Sequence, residues 1–339
     1  MSYIRYEADN IHDALNHDTI TQVRQSMVDH DVKSLPQACQ SCIATNMHIQ
    51  FQRNVEAKLE MKISEVRDLI LYPSNECSGA CIMCGDEFSR AYSRTYSKTT
   101  NKIDNVDECL FAIEQSTNVE SIRILGGNIQ DMERGVEIFD ALDRSRAEEI
   151  TIVTNGNTSK MRDGSCIFTR LMQLHFSGKH VRLVISIDGV ESVNNFQRKF
   201  INYDRLNTFI NDSKNLSTHI DVSLLSTMTM YNIERFDELS ELHDDIELGV
   251  GFIVMPERMS LFNAPPEFIN AMVEKYEALQ NNMTTRRAYN ELVGIQRNSR
   301  YEHVKWVEFC HETIKKANID ELKTVSPLLA SMVERTIIL

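Results

Sequence analysis

The chain has 339 residues, of which 42% are hydrophobic and 25% are charged. This composition is typical of globular proteins and excludes a wholly disordered chain. The formal net charge is −13, from 36 Lys and Arg against 49 Asp and Glu, so we expect no nucleic-acid partner. No run approaches the ~20 apolar residues of a membrane span, and the first six residues lack the apolar core of a signal peptide. We therefore expect a cytoplasmic protein with no membrane partner.

The sequence between residues 65 and 256 alternates between two kinds of segment. Short apolar, β-branched runs are typical of buried strands, and the longer amphipathic stretches between them are typical of helices. The predicted strands are residues 68–72, 121–125, 150–154, 181–187, 220–227 and 249–255. The predicted helices are residues 106–115, 132–146, 167–176, 203–216 and 233–242. This alternation predicts right-handed βαβ units and therefore an α/β fold with a parallel sheet.

Two other regions flank this part of the chain. Residues 1–64 are polar, and we interpret them as an N-terminal extension that carries a Cys-x-x-Cys pair. Residues 257–339 have helical patterning again, beginning with a helix that starts near Pro265-Pro266. We expect a three-part organisation, with the α/β domain spanning residues 65–256.

Glycine is scarce, with 12 residues in 339, so the positions of the glycines are informative. Eight lie at or beside predicted strand ends, mostly carboxyl ends: Gly79, Gly85, Gly126, Gly127, Gly156, Gly189, Gly249 and Gly251. Ligands bind at that edge of parallel α/β sheets, and glycine lets the backbone approach a ligand closely. Ordinary turn chemistry is the alternative explanation.

Three of the eight cysteines, Cys77, Cys81 and Cys84, follow the first predicted strand in one short loop. A structural zinc site commonly uses two distant pairs of ligands, and this loop has no histidine within a few residues. An iron–sulfur cubane normally uses four cysteines, so three would leave one iron open. An open metal position is what catalysis requires. A non-enzymatic zinc or structural iron–sulfur site remains the alternative.

Three further cysteines, Cys109, Cys166 and Cys310, stand alone in the sequence. Isolated cysteines in a chain without an export signal usually behave as small hydrophobic residues. We therefore expect these three side chains to be buried and inert.

The loop Cys77-Ser-Gly-Ala-Cys81-Ile-Met-Cys84 resembles the C-x3-C-x2-C signature of the radical SAM superfamily. The supporting motifs, in chain order, are Gly126-Gly127-Asn128 in place of the family's GGE motif, Thr154-Asn155-Gly156, and Ser186-Ile187-Asp188-Gly189 followed by Arg198. The resemblance covers about residues 65–256. It implies a partial, six-stranded TIM-like (βα)6 barrel.

The resemblance also implies a cofactor set and a reaction. The three loop cysteines would hold a [4Fe–4S] cluster, and S-adenosyl-L-methionine would chelate the open iron through its amino and carboxylate groups. One electron, from a donor such as flavodoxin or ferredoxin, would cleave the sulfonium to methionine and a 5′-deoxyadenosyl radical. That radical would abstract hydrogen from the substrate of this oxidoreductase-type enzyme. The motifs do not identify the substrate, which is a peptide or a small metabolite.

Residue roles follow from the same resemblance. The implied cofactor contacts are Met83 and the backbone around Val254 at the adenine, Gly126 and Gly127 at the methionine moiety, Ser186 and Asp188 at the ribose, Arg198 at the carboxylate, and Asn155 after the third strand. Asn128 departs from the family pattern because it replaces the GGE glutamate. An amide can accept a hydrogen bond but carries no charge, so we expect a weaker contact with the cofactor ammonium.

The Cys39-Gln-Ser-Cys42 pair resembles the stretch before the barrel in radical SAM proteins with a twitch domain, where a similar sequence helps to hold an auxiliary cluster. Two thiolates cannot complete a cubane on their own. Three interpretations therefore stay open for this pair: a second iron–sulfur cluster, a zinc pair, and inert thiols.

Overall fold

The computed structural model of the protein describes residues 15–29, 31–35, 62–242, 245–253, 259–280 and 282–338. Its main feature is a six-stranded sheet in which all neighbouring strands are parallel. Its strands are β1 (Asp68–Leu71), β3 (Ser121–Ile124), β4 (Glu149–Thr154), β5 (His180–Ser186), β7 (Asp221–Met228) and β8 (Glu247–Phe252). The prediction of an α/β fold with a parallel sheet is confirmed.

The order of the strands across the sheet is the same as their order along the chain, from β1 to β8. Each crossover therefore moves one place in the same direction, and right-handed crossovers of that kind keep the helices on one face. Side chains alternate accordingly. On β4, Ile150 and Ile152 are fully buried in the core, whereas Thr151 and Val153 on the other face are half-buried. One face of the sheet thus forms the core, and the other is only partly covered by the described residues.

A small antiparallel ribbon lies beside the main sheet. It consists of β2 (Ala80–Cys81) and β6 (Arg198–Lys199), with Cys81 paired to Arg198 and Ala80 paired to Lys199. Two-residue strands carry no periodicity that a sequence pattern could reveal, so the sequence did not predict this ribbon. It joins the cysteine loop to the segment that follows β5.

The helices of the described segments pack against the sheet and continue beyond it. They are α1 (Asp18–Val28), α2 (Arg90–Tyr92) with a π-helical turn (Ser93–Ser97), α3 (Val106–Gln115), α4 (Gly135–Arg144), α5 (Ile167–Phe176), α6 (Ser192–Gln197), α7 (Tyr203–Lys214), α8 (Phe236–Leu242), α9 (Pro266–Ala278), α10 (Met283–Arg297), α11 (His303–Lys316), α12 (Ile319–Val325) and α13 (Pro327–Ile338). Short 3₁₀ turns cover Val32–Ser34, Ile63–Glu65, Ile129–Asp131, Ile233–Arg235 and Leu261–Asn263. None of the described helices is long and apolar enough to cross a bilayer.

Several predicted elements have different bounds in the structure, two of them at both ends by two residues or more. The helix predicted over residues 132–146 is Gly135–Arg144, because a 3₁₀ turn at Ile129–Asp131 and an extended Met132 come before it. The strand predicted over residues 249–255 begins at Glu247 and ends at Phe252. Ile253 follows the strand as irregular backbone, and the last two residues of the predicted strand, with Val254, lie outside the described residues.

The C-terminal helices share a continuous buried core with the sheet and its helices. Two polar contacts also join the parts: the Tyr231 hydroxyl lies 2.8 Å from the Thr313 hydroxyl, and Lys316 donates to the Tyr92 hydroxyl at 2.7 Å. The domain division at residues 64 and 256 stays a prediction. The proposed N-terminal cysteine pair, Cys39 and Cys42, lies outside the described residues.

Candidate functional site

The three cysteines of the loop after β1 lie together at the carboxyl edge of the sheet, and each side chain is half-buried. A tight turn, in which the Cys84 N–H donates to the Cys81 carbonyl at 2.9 Å, brings these two residues close. The Cys77 sulfur accepts from the Gly79 N–H at 3.4 Å and from Asn155 Nδ2 at 3.5 Å. The loop is therefore folded so that its thiols face a common region beside the ends of β1 and β4.

The electrostatics of the three thiols are coupled. Burial is the main cause that raises the pKa of all three, with Cys77 reaching about 12, and a thiolate at Cys81 raises the pKa of both Cys77 and Cys84. Three thiolates together are stable only beside compensating positive charge, such as bound metal. No three His, Cys, Asp or Glu side chains in the described part of the chain are positioned to hold a single metal ion. The thiols are thus near neighbours that do not converge on one ion-sized point.

A buried ion pair supplies the positive charge nearest to Cys81. Arg198 Nε lies 2.7 Å from Asp188 Oδ2, and both side chains are almost fully buried. Asp188 is anchored in turn, because its Oδ1 accepts from the Thr227 N–H at 2.7 Å. Arg198 Nη1 lies 4.0 Å from the Cys81 sulfur, and its charge lowers the pKa of that thiol against the larger effect of burial. The pair therefore aims one guanidinium at the thiol loop.

The loop after β3 is pressed against the cysteine loop at Gly127. Gly127 has a φ of +55°, and a Cβ there would lie 2.6 Å from the Glu76 carbonyl oxygen. The next residue, Asn128, donates its N–H to the same Glu76 oxygen at 2.7 Å. Only glycine combines this left-handed conformation with such a close backbone approach. The two loops are consequently fixed against each other.

Asn128 is buried, and its side chain is fully engaged with the protein. Its Oδ1 accepts from the Thr154 hydroxyl at 3.0 Å and from the Asn155 N–H at 3.1 Å. Its Nδ2 donates to Asp131 Oδ2 at 3.0 Å. Both lone pairs of the amide oxygen are therefore used by protein donors.

Asp131 is the residue at this site that the sequence interpretation missed. Its Oδ2 also accepts from the Ser78 N–H at 2.8 Å, and its charge contributes to the raised pKa of Cys77. Its Oδ1 accepts no hydrogen bond from the described residues. The available signal was an acidic side chain three residues after Asn128, directly before the helix predicted over residues 132–146.

The remaining predicted contacts lie near the same edge of the sheet. Asn155 touches the thiol loop through Cys77, and Ser186 ends β5, whose residue Ile185 is in register with Thr154 on β4. Gly126 has a φ of +74° and packs against Tyr72. Met83 packs against the core. The cofactor roles assigned to these residues stay predictions, and Val254 is not among the described residues.

Comparisons with known proteins add a distant likeness in shape. No family model and no curated protein matches the sequence. Among solved structures, anSMEcpe with bound AdoMet is 15% identical, with a TM-score of 0.45, and the match covers 64% of this chain and 62% of that one. Streptococcus suis SuiB bound to S-adenosylmethionine is 15% identical with a TM-score of 0.41, covering 74% of this chain and 60% of that one.

The same SuiB bound to the precursor peptide SuiA is 14% identical with a TM-score of 0.45, covering 79% of this chain and 64% of SuiB. The chain thus spans less than two thirds of the length of these proteins. Identities and TM-scores this low assign neither a family nor an activity. The function has to be argued from the residues of the site.

Proposed function

We propose that this protein is a radical SAM enzyme that holds a [4Fe–4S] cluster and S-adenosylmethionine. The observation that carries the proposal is the grouping of Cys77, Cys81 and Cys84 at the carboxyl edge of a parallel sheet, beside a buried Arg198–Asp188 pair. When bound, the cofactors would supply a 5′-deoxyadenosyl radical able to remove a hydrogen atom from a substrate.

The three cysteines are better suited to hold such a cluster than to remain free thiols. Burial raises the pKa of each thiol, so without metal the three cysteines stay protonated near neutral pH. Binding iron requires three thiolates, and the metal charge offsets both their burial and their mutual repulsion. Asn155 and the Gly79 N–H donate to the Cys77 sulfur, as polar groups around cluster sulfurs do.

Arg198 and Asp188 act on the cluster side of the site. The guanidinium beside Cys81 favours the thiolate, and the Asp188 carboxylate fixes the guanidinium in that position. This engagement supports Arg198 as a group that also faces an anionic part of the cofactor. It gives Asp188 a positioning role in addition to its predicted ribose contact.

Asp131 supplies the negative charge that Asn128 lacks. The Asn128 oxygen is occupied by two protein donors, whereas Asp131 keeps one carboxylate oxygen without a partner among the described residues. Ser78 and Asn128 hold the other oxygen, so the carboxylate is fixed beside the thiol loop. We therefore assign the attraction of the cofactor ammonium to Asp131, since a charged acceptor binds an ammonium more strongly than an amide does.

The architecture supports a partial barrel over about residues 65–256. Six parallel strands in chain order, joined by crossovers in one direction, wind as a barrel does and do not reverse as a doubly wound sheet does. The partly covered face of the sheet would then be the inner face. A substrate, as peptide or small metabolite, and an electron donor such as flavodoxin or ferredoxin complete the proposed reaction.

Anaerobic reconstitution with iron and sulfide tests the proposal. We expect about four irons per chain, a broad brown absorbance, and release of 5′-deoxyadenosine when reductant and S-adenosylmethionine are added. A colourless protein that binds zinc instead would contradict it.

The same measurement addresses a second cluster of the twitch type. About eight irons per chain would support a cluster at Cys39 and Cys42, and their joint replacement by alanine should then remove about half of the iron. Cys166→Ala is the matched control, because Cys166 lies outside both cysteine groups. Equal iron in all three proteins would favour inert thiols at residues 39 and 42.

A further inference from the structure

A cavity of about 320 Å³ lies behind the thiol site, between the π-helical turn, α6 and the C-terminal helices. Its lining includes Tyr96, Phe196, Lys199, Ala317, Glu321 and Val325. Its size is at the small end of the range found for ligand pockets, ~300–1,000 Å³. The cavity can therefore take a compact small molecule.

The cavity adjoins the ribbon of β2 and β6, and its Tyr96 hydroxyl is close enough to Cys81 for a thiolate there to raise the pKa of Tyr96. Successive side chains of a strand point to opposite faces. Arg198 points to the Cys81 sulfur, and the next residue, Lys199, lines the cavity. None of the lining residues is among the proposed cofactor contacts, so binding of a ligand in the cavity does not depend on the proposed function.

One lysine of the cavity is already neutralised. Lys316 forms an ion pair with Glu312 and donates to the Tyr92 hydroxyl at 2.7 Å. Its Nζ also lies 5.1 Å from the centre of the Tyr96 ring, within the range of a cation–π contact. Lys316 therefore serves to hold the two tyrosines against α11, and its charge is not available to a ligand.

Two other charged side chains of the lining, both solvent-exposed, have no such partner in the described part of the chain. Lys199 and Glu321 form no ion pair with each other or with any other residue in the described ranges. One cavity wall thus presents a cation and another an anion. A ligand that carries both signs of charge could pair with both groups at once.

Tyr96 adds a polar group that lacks a partner. Its hydroxyl is buried and makes no hydrogen bond with any residue that the structure describes. Burial raises the pKa of Tyr96 to about 12, and the nearby Tyr92, Cys81 and Glu321 add to the shift, so the hydroxyl remains a donor at neutral pH. A buried hydroxyl without a partner costs free energy that a ligand acceptor would recover. Tyr96 lies in the π-helical turn, a rare structure that is frequent at functional sites.

We propose that this cavity binds a free α-amino acid with an apolar side chain. The Lys199 ammonium meets the carboxylate of the zwitterion, and the Glu321 carboxylate meets its ammonium. Phe196, Ala317 and Val325 provide the apolar surface for the side chain. The Tyr96 hydroxyl donates to the ligand carboxylate.

Calorimetric titration of the full-length protein with L-phenylalanine tests the proposal. We expect saturable binding, and about tenfold weaker binding of phenethylamine, which lacks the carboxylate, and of 3-phenylpropionate, which lacks the ammonium. Absence of binding at about 10 mM L-phenylalanine would overturn the proposal. Equal affinity for all three compounds would overturn it too, since the charges would then play no part.

Two charge-removing variants locate the site. Lys199→Gln should weaken L-phenylalanine about tenfold and leave phenethylamine unchanged, and Glu321→Gln should weaken L-phenylalanine equally and leave 3-phenylpropionate unchanged. Lys315→Gln and Asp320→Asn are the controls, because they remove the same charges from residues that are also exposed but do not line the cavity. If the lining variants behave like these controls, the ligand binds elsewhere and the proposal fails. Weaker binding of all three compounds by a lining variant would also contradict the proposal, because the substituted charge would then not act on one charged group of the ligand.

Discussion

The protein holds two kinds of cysteine, which differ less in burial than in their neighbours. Cys77, Cys81 and Cys84 share one loop, whereas Cys109 and Cys310 lie in the core, apart from the other described cysteines. Burial raises the thiol pKa in both groups, to about 12 at Cys77, Cys109 and Cys310. A raised thiol pKa therefore does not separate a functional cysteine from a structural one.

The neighbours do separate them. Cys310 is fully buried beside Trp306 and Phe309 on α11, which stack on each other, and its thiol has one polar contact, a hydrogen bond with the Thr336 side chain. The loop thiols instead face a guanidinium, a side-chain amide and one another. A cysteine that serves only packing lies in a mainly apolar shell, whereas thiolates that bind metal need several polar or charged neighbours to orient and stabilise them. Single substitutions in the two groups should therefore have different effects.

The largest effect is expected at the loop. Cys81→Ala should lower the reconstituted iron from about four per chain to nearly none, because two thiolates cannot hold the proposed cluster. The far-ultraviolet circular dichroism should be unchanged, since the side chain is only half-buried. Cys109→Ala is the control and should keep its iron. A Cys81→Ala protein with a full iron load would remove the distinction between the two groups.

Among the groups around the loop thiols, Arg198 should contribute most to the free energy of unfolding. Arg198→Gln leaves the buried Asp188 carboxylate without its partner, so we expect a loss of about 3–5 kcal/mol in the free energy of unfolding. Arg182→Gln is the matched control, because its contact with Asp221 is exposed and should be worth less than about 1 kcal/mol. Denaturation of the metal-free proteins measures both. Equal losses would mean that the buried Arg198–Asp188 pair stabilises the fold no more than an exposed ion pair does.

Asp131→Asn tests whether the charge of Asp131 attracts the ammonium group of the cofactor. It keeps an oxygen that can accept from Ser78 but removes the charge, so binding of S-adenosylmethionine to the reconstituted protein should weaken about tenfold. Glu76→Gln removes the same charge from the residue next to Cys77 and should change the affinity less than about twofold. Binding measured by calorimetry, with iron content as a second readout, distinguishes the two. A decrease in iron instead of affinity would show that Asp131 serves the cluster.

The smallest effect is expected in the core. Cys310→Ala should cost about 1–2 kcal/mol of unfolding free energy, because it leaves a small void in a tightly packed region, and should leave the iron content unchanged. Cys166→Ala should cost less, since Cys166 is half-buried just before α5. The expectation that Cys166 is buried was therefore wrong. Iron loss on replacing Cys310 would contradict the assignment of a purely packing role.

Much of the α/β domain could be predicted because the sequence signals of its helices and strands are local. The helices Val106–Gln115 and Ile167–Phe176 have the bounds that their apolar periodicity predicted. The ribbon of β2 and β6 could not be predicted in this way, because two residues carry no period and their pairing joins distant segments.

By itself the sequence determined the parallel α/β fold and the clustering of three thiols in one loop, since both depend on patterns within a few residues. The tertiary structure decided which side chains surround those thiols. Arg198 lies 117 residues from Cys81 along the chain, and Asp131 lies 53 residues from Ser78. Spacing cannot encode such contacts, because they arise only when several strands bring their carboxyl ends to one edge. The same holds for the cavity, whose Tyr96 and Glu321 meet only after the C-terminal helices pack against the sheet domain.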